Sequence, residues 1–259
     1  MSKTEQEYRQ DIIAVGKLVW QKEWIAANDG NISIRLDDNR VLCTPTGVCK
    51  GLLAEDDLIV CDRLGNKLEG RLERTSEIAM HLTIYEMRPD VRSVVHAHPA
   101  VATGFAAAGR PLNLALLPEV IIGLGSVPLA EYGLPGTPAL TRGMLEYIPK
   151  YDALLMENHG AVCYGADVWQ AFFRMETVEH FARITLVAEL AGGARPLPRH
   201  EVGKLFDSRG RYGVKSRVGM EPGHPVVAED AQPPERLQLT REELLAVIDE
   251  ALRARGVLA

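Results

Sequence analysis

The sequence predicts an α/β fold in which a mixed or antiparallel sheet lies between layers of helices. Segments with helical periodicity alternate with segments of strand-like pattern along the 259 residues. The strands are short, and those near the N-terminus follow one another closely, as the strands of hairpins do. This pattern differs from that of a regular doubly wound fold.

The N-terminal elements are a long helix followed by three strands. Apolar residues recur at helical spacing over residues 5–27, and the turn-forming residues 28–31 end this helix. The strands are predicted over residues 32–36, 41–44 and 58–61. The first of them alternates apolar and polar residues, which indicates a strand with one buried face.

Helices and strands continue to alternate in the second half of the chain. Thr75 or Ser76 can cap a helix that runs to Met87, and Asp167 can cap a long helix that ends near Gly192. The elements predicted between them are a strand over residues 94–98, a helix over residues 100–108 and a strand over residues 154–158.

The C-terminal part is predicted to lie outside this layered domain. Residues 193–240 are rich in proline and poor in apolar clusters, which favours an irregular segment. Residues 240–254 are predicted to form a final amphipathic helix with Thr240 as its cap. We therefore divide the chain into a domain over residues 1–192 and a proline-rich tail over residues 193–259 that ends in a short helix.

Composition and charge exclude several function classes. The net charge of −6 indicates no basic surface for nucleic acid, and no apolar run is long enough to span a bilayer. The polar N-terminus lacks the features of a signal peptide, so we expect a cytoplasmic protein. None of the four cysteines forms a CxxC pair, which argues against a zinc ribbon or a disulfide scaffold.

The sharpest local signal for chemistry is the sequence His96-Ala97-His98. Residues two apart on a strand project from the same face, so both imidazoles point into one space. Two neutral imidazoles at that spacing are suitable zinc ligands. Pro99 ends the strand directly after the pair and places it at the edge of the sheet. These residues alone leave open a metal site and a packed or solvated histidine pair.

Glu77, His81 and His159 are further candidates. Glu77 lies in the first turn of a helix, where it either complements the helix dipole or serves as a metal ligand and proton shuttle. His81 is four residues further along the same helical face, and we favour a packing or hydrogen-bonding role for it. His159 precedes Gly160 at a strand end and is either structural or a third ligand. Spacing alone does not bring it to the histidine pair.

Small polar turns offer a place for an anion. They are Gly30-Asn31, Thr46-Gly47 and Thr75-Ser76, each with small side chains and backbone N–H groups. The third precedes a helix, where the dipole and the unpaired N–H groups favour an anion. Together the turns could cradle a phosphate, whereas any one of them alone is an ordinary turn.

These segments also occur together, in this order, in a known protein family. The chain over roughly residues 8–190 resembles the class II aldolase/adducin family. The sequences that carry the resemblance are Gly30-Asn31-Ile32-Ser33, Thr44-Pro45-Thr46-Gly47, Thr75-Ser76-Glu77, His96-Ala97-His98-Pro99 and Asn158-His159-Gly160. The resemblance implies a three-layer α/β/α fold with a central, largely antiparallel sheet. It also implies a homotetramer with active sites between subunits, and makes residues 1–192 the catalytic domain.

The resemblance further implies the roles of individual residues. His96, His98 and His159 match the family's zinc histidines, and Glu77 matches the carboxylate that is both metal ligand and catalytic acid/base. The residues that match the substrate-phosphate turns are Gly30, Asn31, Thr46, Gly47, Thr75 and Ser76.

The chain departs from the family pattern at a few positions. Thr75 replaces a common serine, which keeps the hydroxyl. Leu117 stands, in a rough alignment, where sugar-phosphate aldolases of the family have a catalytic tyrosine supplied by a neighbouring subunit. Tyr132 and Tyr212 are candidate replacements for that aromatic donor. The C-terminal tail shows no clear match.

The function that follows from this resemblance is a zinc-dependent aldolase that cleaves a ketose phosphate through a metal-stabilised enediolate. Mn²⁺ or Co²⁺ would be an alternative metal. A decarboxylase, dehydratase or epimerase acting on a related sugar phosphate is the nearest alternative function. A non-catalytic, adducin-like assembly domain is a more distant one, because such a domain would need no metal ligands.

Overall fold

The computed structural model describes residues 3–214 of the chain. At its centre these residues form one sheet of eight strands. In chain order the strands are β1 (Asn31–Arg35), β2 (Arg40–Cys43), β3 (Ile59–Asp62), β4 (Lys67–Glu69), β5 (Ser93–Ala97), β6 (Leu129–Ala130), β7 (Ala153–Met156) and β8 (Gly160–Gly165).

The strand order across the sheet is β4-β3-β2-β1-β5-β8-β7-β6. Every neighbouring pair is antiparallel except β6 and β7, which run parallel. The central strand β5 lies between β1 and β8, which come from distant parts of the chain. This arrangement confirms the predicted α/β fold with a largely antiparallel sheet.

Seven α-helices surround the sheet within residues 3–214. They are α1 (Glu5–Gln21), α2 (Ile78–Met87), α3 (Ala100–Ala107), α4 (Pro118–Gly123), α5 (Pro138–Arg142), α6 (Val168–Leu190) and α7 (Arg199–Ser208). The N-cap of α1 is Thr4, which forms a capping box with Glu7, and the N-cap of α6 is Asp167, as predicted. No helix among these residues has the length and apolar character needed to cross a membrane.

The sheet separates two apolar cores, one on each face. Apolar side chains of α1, α3 and α6 pack on one face against strand residues such as Ile32 and Val95. Side chains of α2 and α5 pack on the other face against residues such as Val94 and Val162. Because alternate strand residues point to opposite faces, Val94 and Val95 belong to different cores. The three-layer arrangement is therefore the one predicted.

The boundaries of two helices differ from the sequence prediction. Helix α1 ends at Gln21, six residues before the predicted end at residue 27. Glu23 and Ala27 adopt left-handed backbone conformations, with φ of 59° and 48°, so the helix cannot continue through them. The N-cap of α2 is Glu77, not Thr75 or Ser76, although the Thr75 hydroxyl accepts a hydrogen bond from the Glu77 N–H group.

The sequence prediction missed several elements: β4, β6, β8, α4, α5 and α7. Strand β8 is buried on both faces, so it lacks the alternating pattern that the prediction relied on. Helix α7 lies in the stretch predicted to be irregular, and that prediction is wrong for Arg199–Ser208. Its Val202 packs against Ala115 and Ile121. The helix predicted over residues 240–254 lies outside the described residues.

Candidate metal centre and active site

The histidine pair lies at the end of the central strand β5. His96 is buried on the face that packs against α2, and His98 follows the strand, half-buried. Gly30, just before β1, has φ of 67°, and a Cβ atom there would lie 2.8 Å from the His96 carbonyl oxygen. A glycine at this position therefore lets the first polar turn approach the histidine pair closely.

His159 reaches the same space from the tight turn between β7 and β8. Asn158 adopts a left-handed conformation in this turn, with φ of 53°. A Cβ atom on Gly160 would lie 2.5 Å from Cδ2 of His98, so glycine allows the turn to pack against β5. The centroid of the His159 ring lies 4.8 Å from that of His96 and 5.2 Å from that of His98.

The ring nitrogens of the three histidines converge. One nitrogen from each of His96, His98 and His159 lies within 4.8 Å of the others. His96 Nδ1 lies 2.9 Å from the carbonyl oxygen of Ala161 and must donate to it, which leaves Nε2 with a lone pair. This lone pair faces His98 Nε2 at 3.1 Å. Histidine ligands of metals commonly donate their other ring nitrogen in this way.

Glu77 completes the cluster. Its Oε2 atom lies 3.3 Å from His96 Nε2, and its Oε1 atom lies 3.3 Å from His159 Nε2. Ligand atoms held about 2.0–2.1 Å from a tetrahedral zinc ion lie roughly 3.3 Å from one another. Each of the two Glu77 contacts therefore has the length expected between two ligand atoms on one zinc ion.

Two atoms of the cluster support the same fit. Glu77 Oε1 and His159 Nδ1 are buried and accept or donate no hydrogen bond within residues 3–214. Unpaired buried polar atoms are costly, so a metal ion bound between Glu77 Oε1 and the nearby His159 Nε2 would compensate for the unpaired Oε1 atom. Burial also lowers the pKa of His96 and of His159, which favours the neutral imidazole that a metal requires.

Asn31 and His81 lie directly behind Glu77. The Asn31 side-chain amide donates from Nδ2 to Glu77 Oε2 over 2.8 Å, and its Oδ1 atom is hydrogen-bonded to His81 Nε2. The side chain of Asn31 is thus directed to the catalytic carboxylate candidate and not to the surface of its turn. His81 is fully buried and hydrogen-bonded, in agreement with the role favoured from the sequence.

The buried state of His81 predicts a pH-dependent stability. The pKa of His81 is lowered from 6.5 to about 3, mainly by burial and to a smaller extent by neighbouring His96. Glu77 acts in the opposite direction. Below pH 6.5 the unfolded chain therefore binds a proton that the folded chain does not. The free energy of unfolding contributed by His81 should fall with decreasing pH, by up to about 1.4 kcal/mol per pH unit.

Denaturant unfolding of metal-free protein at pH 7 and pH 5.5 checks this prediction. The loss of stability on acidification should be about 1 kcal/mol larger in the wild type than in the His81→Gln variant. His96 and His159 contribute to both proteins and cancel in the comparison. Equal losses would mean that His81 is not held neutral by burial.

The predicted phosphate turns are neighbours in the fold. The Thr44 N–H group donates to the Ile32 carbonyl, and the Thr44 hydroxyl accepts from the Ile32 N–H group, which joins the first turn to the second. The Thr75 N–H group donates to the Thr44 carbonyl, and the Thr46 N–H group donates to the Glu73 carbonyl, which joins the second turn to the third. The three turns are thus neighbours in the structure, which their spacing along the sequence did not predict.

These turns present different atoms to solvent. Thr46, Gly47 and Ser76 are exposed, whereas Thr75 is buried. Gly47 has φ of 72°, a conformation that favours glycine, and nothing lies within 4 Å of its missing Cβ atom. The second and third turns therefore each present an exposed hydroxyl residue, and Gly47 leaves open space beside Thr46.

Asp29 and Lys50 are site residues that the sequence analysis did not single out. Asp29 Oδ2 lies 3.5 Å from His98 Nδ1. Lys50 is buried, and its Nζ atom donates to the carbonyls of Asn28 (2.6 Å) and Val48 (2.9 Å), so it joins the first turn to the second. Burial lowers the pKa of Lys50 to about 8. The position of Asp29 directly before Gly30 could have marked it as a candidate site residue. The position of Lys50 in the sequence gives no such signal.

The three residues considered for the tyrosine position lie in different places. Leu117 precedes α4 and lines a groove of about 650 Å³ together with Trp24. Tyr132 is exposed, and its N–H group donates to the carboxylate of Glu157, two residues before His159. Tyr212 is exposed beyond α7.

Comparison with known proteins decides the family. Residues 10–186 match the family model described as "Class II Aldolase and Adducin N-terminal domain". The chain belongs to the class II aldolase and adducin family. The family resemblance found in the sequence is thereby confirmed. Class II aldolases are metal-dependent, and the histidine cluster of this chain lies within the matched residues.

Individual relatives carry two different activities in their names. The L-fuculose phosphate aldolase of Methanococcus maripaludis is 31% identical over 177 residues, which covers 68% of this chain and 95% of the relative. The 3-oxo-tetronate 4-phosphate decarboxylase of Pectobacterium atrosepticum is 30% identical over 192 residues, which covers 71% of this chain and 86% of the relative. A solved L-fuculose 1-phosphate aldolase superposes with a TM-score of 0.74 at 28% identity, covering 82% of this chain and 98% of its own.

Proposed function

We propose that this protein is a zinc-dependent lyase that cleaves a carbon–carbon bond in a ketose phosphate. The observation that carries the proposal is the convergence of Glu77 with three histidines beside three connected polar turns. A domain that served only assembly would have no need for these metal ligands. We take residues 1–192 as the catalytic domain and residues 193–259 as the C-terminal tail.

The metal ligands in this proposal are His96, His98, His159 and Glu77. Imidazole and carboxylate ligands suit zinc, and they would also hold Mn²⁺ or Co²⁺. The bound metal would supply Lewis-acid stabilisation of the enediolate that forms when the carbon–carbon bond breaks. Neighbouring groups fix the orientations of two imidazole rings. The Ala161 carbonyl accepts a hydrogen bond from the His96 ring, and the Asp29 carboxylate contacts the His98 ring.

Glu77 is the proposed acid/base. The Glu77 carboxylate takes the proton from the hydroxyl of the departing fragment, which leaves as an aldehyde, and the electron pair of the broken bond remains on the enediolate. Glu77 then delivers a proton to the enediolate carbon, or removes one in the reverse direction. Asn31 holds one carboxylate oxygen, Oε2, while Oε1 has no hydrogen-bond partner within residues 3–214 and faces the cluster.

The polar turns are proposed to hold the substrate phosphate and so to fix the reacting carbons near Glu77. Thr46, Gly47 and Ser76 offer the exposed groups, while Gly30 and Thr75 hold the turns in place. Asn31 contributes through Glu77. The Lys50 ammonium lies beneath the first two turns, where its charge favours an anion.

Removing the exposed hydroxyls should weaken substrate binding. We expect Thr46→Val and Ser76→Ala each to raise KM about 10- to 100-fold, since a hydrogen bond to a charged group contributes about 1.5–3 kcal/mol. The matched control is Thr177→Val on α6, whose hydroxyl bonds only to the Phe173 carbonyl. Steady-state kinetics with phosphorylated and dephosphorylated substrate measure the effect. Equal turnover of the two substrates by the wild type would rule out a phosphate site.

A decarboxylase acting on a phosphorylated 3-oxo acid is the second candidate. One relative of comparable identity carries that activity in its name, and the rough alignment that puts Leu117 at the aldolase tyrosine position favours it over an aldolase. Loss of carbon dioxide leaves the same kind of enediolate, so the cluster described here would serve either reaction. The epimerase and dehydratase alternatives draw support from no specific feature of residues 3–214.

A substrate panel tests the proposed function. Metal-loaded protein is assayed with ketose phosphates for aldehyde release and with 3-oxo acid phosphates for carbon dioxide release, before and after chelation. We expect metal-dependent aldehyde release. Carbon dioxide release alone would assign the decarboxylase, and metal-free protein as active as the loaded protein would refute both.

We also propose that the protein acts as a cytoplasmic homotetramer. Exposed apolar side chains such as Leu64, Leu134 and Leu190 support the assembly of several copies. Light scattering of the purified protein measures the oligomeric state.

A further inference from the structure

A buried chain of hydrogen bonds runs from α2 to the Glu77 carboxylate. The Tyr85 hydroxyl lies 2.6 Å from Ser33 Oγ, and Ser33 Oγ lies 2.7 Å from His81 Nδ1. His81 Nε2 is hydrogen-bonded to Asn31 Oδ1, and Asn31 Nδ2 donates to Glu77 Oε2. All of these side chains are buried in the structure.

The fold explains how these residues meet. Asn31 and Ser33 are two residues apart on β1 and therefore point to the same face of the sheet. His81 and Tyr85 are four residues apart on α2 and therefore share one face of the helix. The series of hydrogen bonds thus joins strand β1 to helix α2, whose N-cap is Glu77.

The chain has only one consistent direction. An amide donates only from its nitrogen, so Asn31 presents Nδ2 to the carboxylate and its oxygen to His81. His81 Nε2 must then carry the hydrogen, and in the neutral ring Nδ1 is the acceptor. Ser33 therefore donates to His81 and accepts from Tyr85. Each bond fixes the orientation of the next, and the last one donates to Glu77.

We infer that His81, Ser33 and Tyr85 are positioning residues that fix the Asn31 amide against Glu77 Oε2 and so orient the Glu77 carboxylate. Two observations carry the inference: Asn31 Nδ2 donates to Oε2 over 2.8 Å, and the Asn31 oxygen is held in turn by His81. The inference rests on the proposed function, because it assumes that Glu77 is the acid/base. It adds residues that touch neither substrate nor metal.

Variants along the chain should have graded effects on kcat. His81→Leu removes the donor to Asn31, and we expect kcat to fall about 10- to 100-fold. His81→Gln can still donate to Asn31 and should recover most of that loss. Tyr85→Phe leaves the Ser33 hydroxyl in place and should lower kcat only about threefold. KM should change less than kcat in all of them, because the exposed hydroxyls of Thr46 and Ser76 are untouched.

A stability control separates positioning from folding. Ile84→Val shortens a fully buried side chain on the same helix without touching a polar group. It should lower the unfolding temperature while kcat stays at the wild-type value. A His81→Leu protein that kept wild-type kcat, or His81→Leu and His81→Gln proteins with equal kcat, would overturn the inference.

A measurement without substrate makes the test independent of the proposed function. Nitrogen NMR of histidine-labelled, metal-free protein reports which ring nitrogen carries the hydrogen. We expect His81 to be the Nε2–H form in the wild type and a mixture of both forms in Ser33→Ala. The Nδ1–H form in the wild type would overturn the inference. Wild-type protein that is inactive on every substrate would refute the proposed function and leave the NMR result to decide the direction of the chain.

Discussion

Replacing Glu77 with Gln is expected to slow turnover by about two to four orders of magnitude, because proton transfer loses its acid/base. The metal should remain, since three histidines still hold it. The fold should also remain. Glu77 is the N-cap of α2 but makes no side-chain capping bond, so the helix loses at most a dipole interaction of about 0.3–1 kcal/mol.

Metal content per subunit, turnover and the unfolding transition are measured on the same preparation. The matched control is Glu86→Gln, an exposed carboxylate on the same helix, which should behave as the wild type. A folded, metal-loaded Glu77→Gln protein with wild-type turnover would reduce Glu77 to a carboxylate at a helix start.

Replacing His98 with Ala is expected to remove metal and activity together. Loss of an imidazole that directly binds the ion should weaken metal binding by more than the 10- to 100-fold typical for the loss of an outer hydrogen-bond partner. His98 is the best of the three for this test, because its side chain is 26% exposed, against 0% for His96 and 9% for His159. His96, by contrast, is buried and bonded to the Ala161 carbonyl.

The control for the His98 variant is His200→Ala, since His200 is exposed on α7 with 70% of its side chain accessible. It should retain both metal and turnover. Zinc analysis by atomic emission and a turnover assay over a range of added zinc measure the effect. Full activity of a metal-free His98→Ala protein would contradict the proposed metal centre.

The sequence alone predicted the part of the site that depends on local geometry. His96 and His98 share a space because they are two apart at the end of a strand, and that follows from the period of a strand. The register explains why His159 could not be placed in the same way. Strand β8 pairs with β5 in antiparallel orientation, with Val162 opposite His96. This pairing brings the turn before β8, which contains His159, to the histidine pair. Spacing along the chain contains no such information.

The elements missed by the sequence analysis share a physical cause. Strand β8 is buried on both faces and shows no alternation, whereas β4 is exposed along its whole length and has no apolar pattern. The side-chain partners of Asn31 could not be predicted from its sequence position either. Its turn suggested a phosphate contact, but its side chain points into the sheet–helix interface, where Glu77 and His81 bind it.

The most direct test of the proposed reaction is proton exchange at the enediolate carbon. Metal-loaded protein is incubated in D₂O with dihydroxyacetone phosphate, the fragment expected from cleavage of a ketose 1-phosphate, and the loss of its carbon-bound proton signal is followed by NMR. We predict exchange by the wild type that stops on chelation, returns with zinc and is almost absent in Glu77→Gln. The account would be contradicted if chelated wild-type protein and metal-loaded Glu77→Gln both exchanged the proton as fast as metal-loaded wild-type protein.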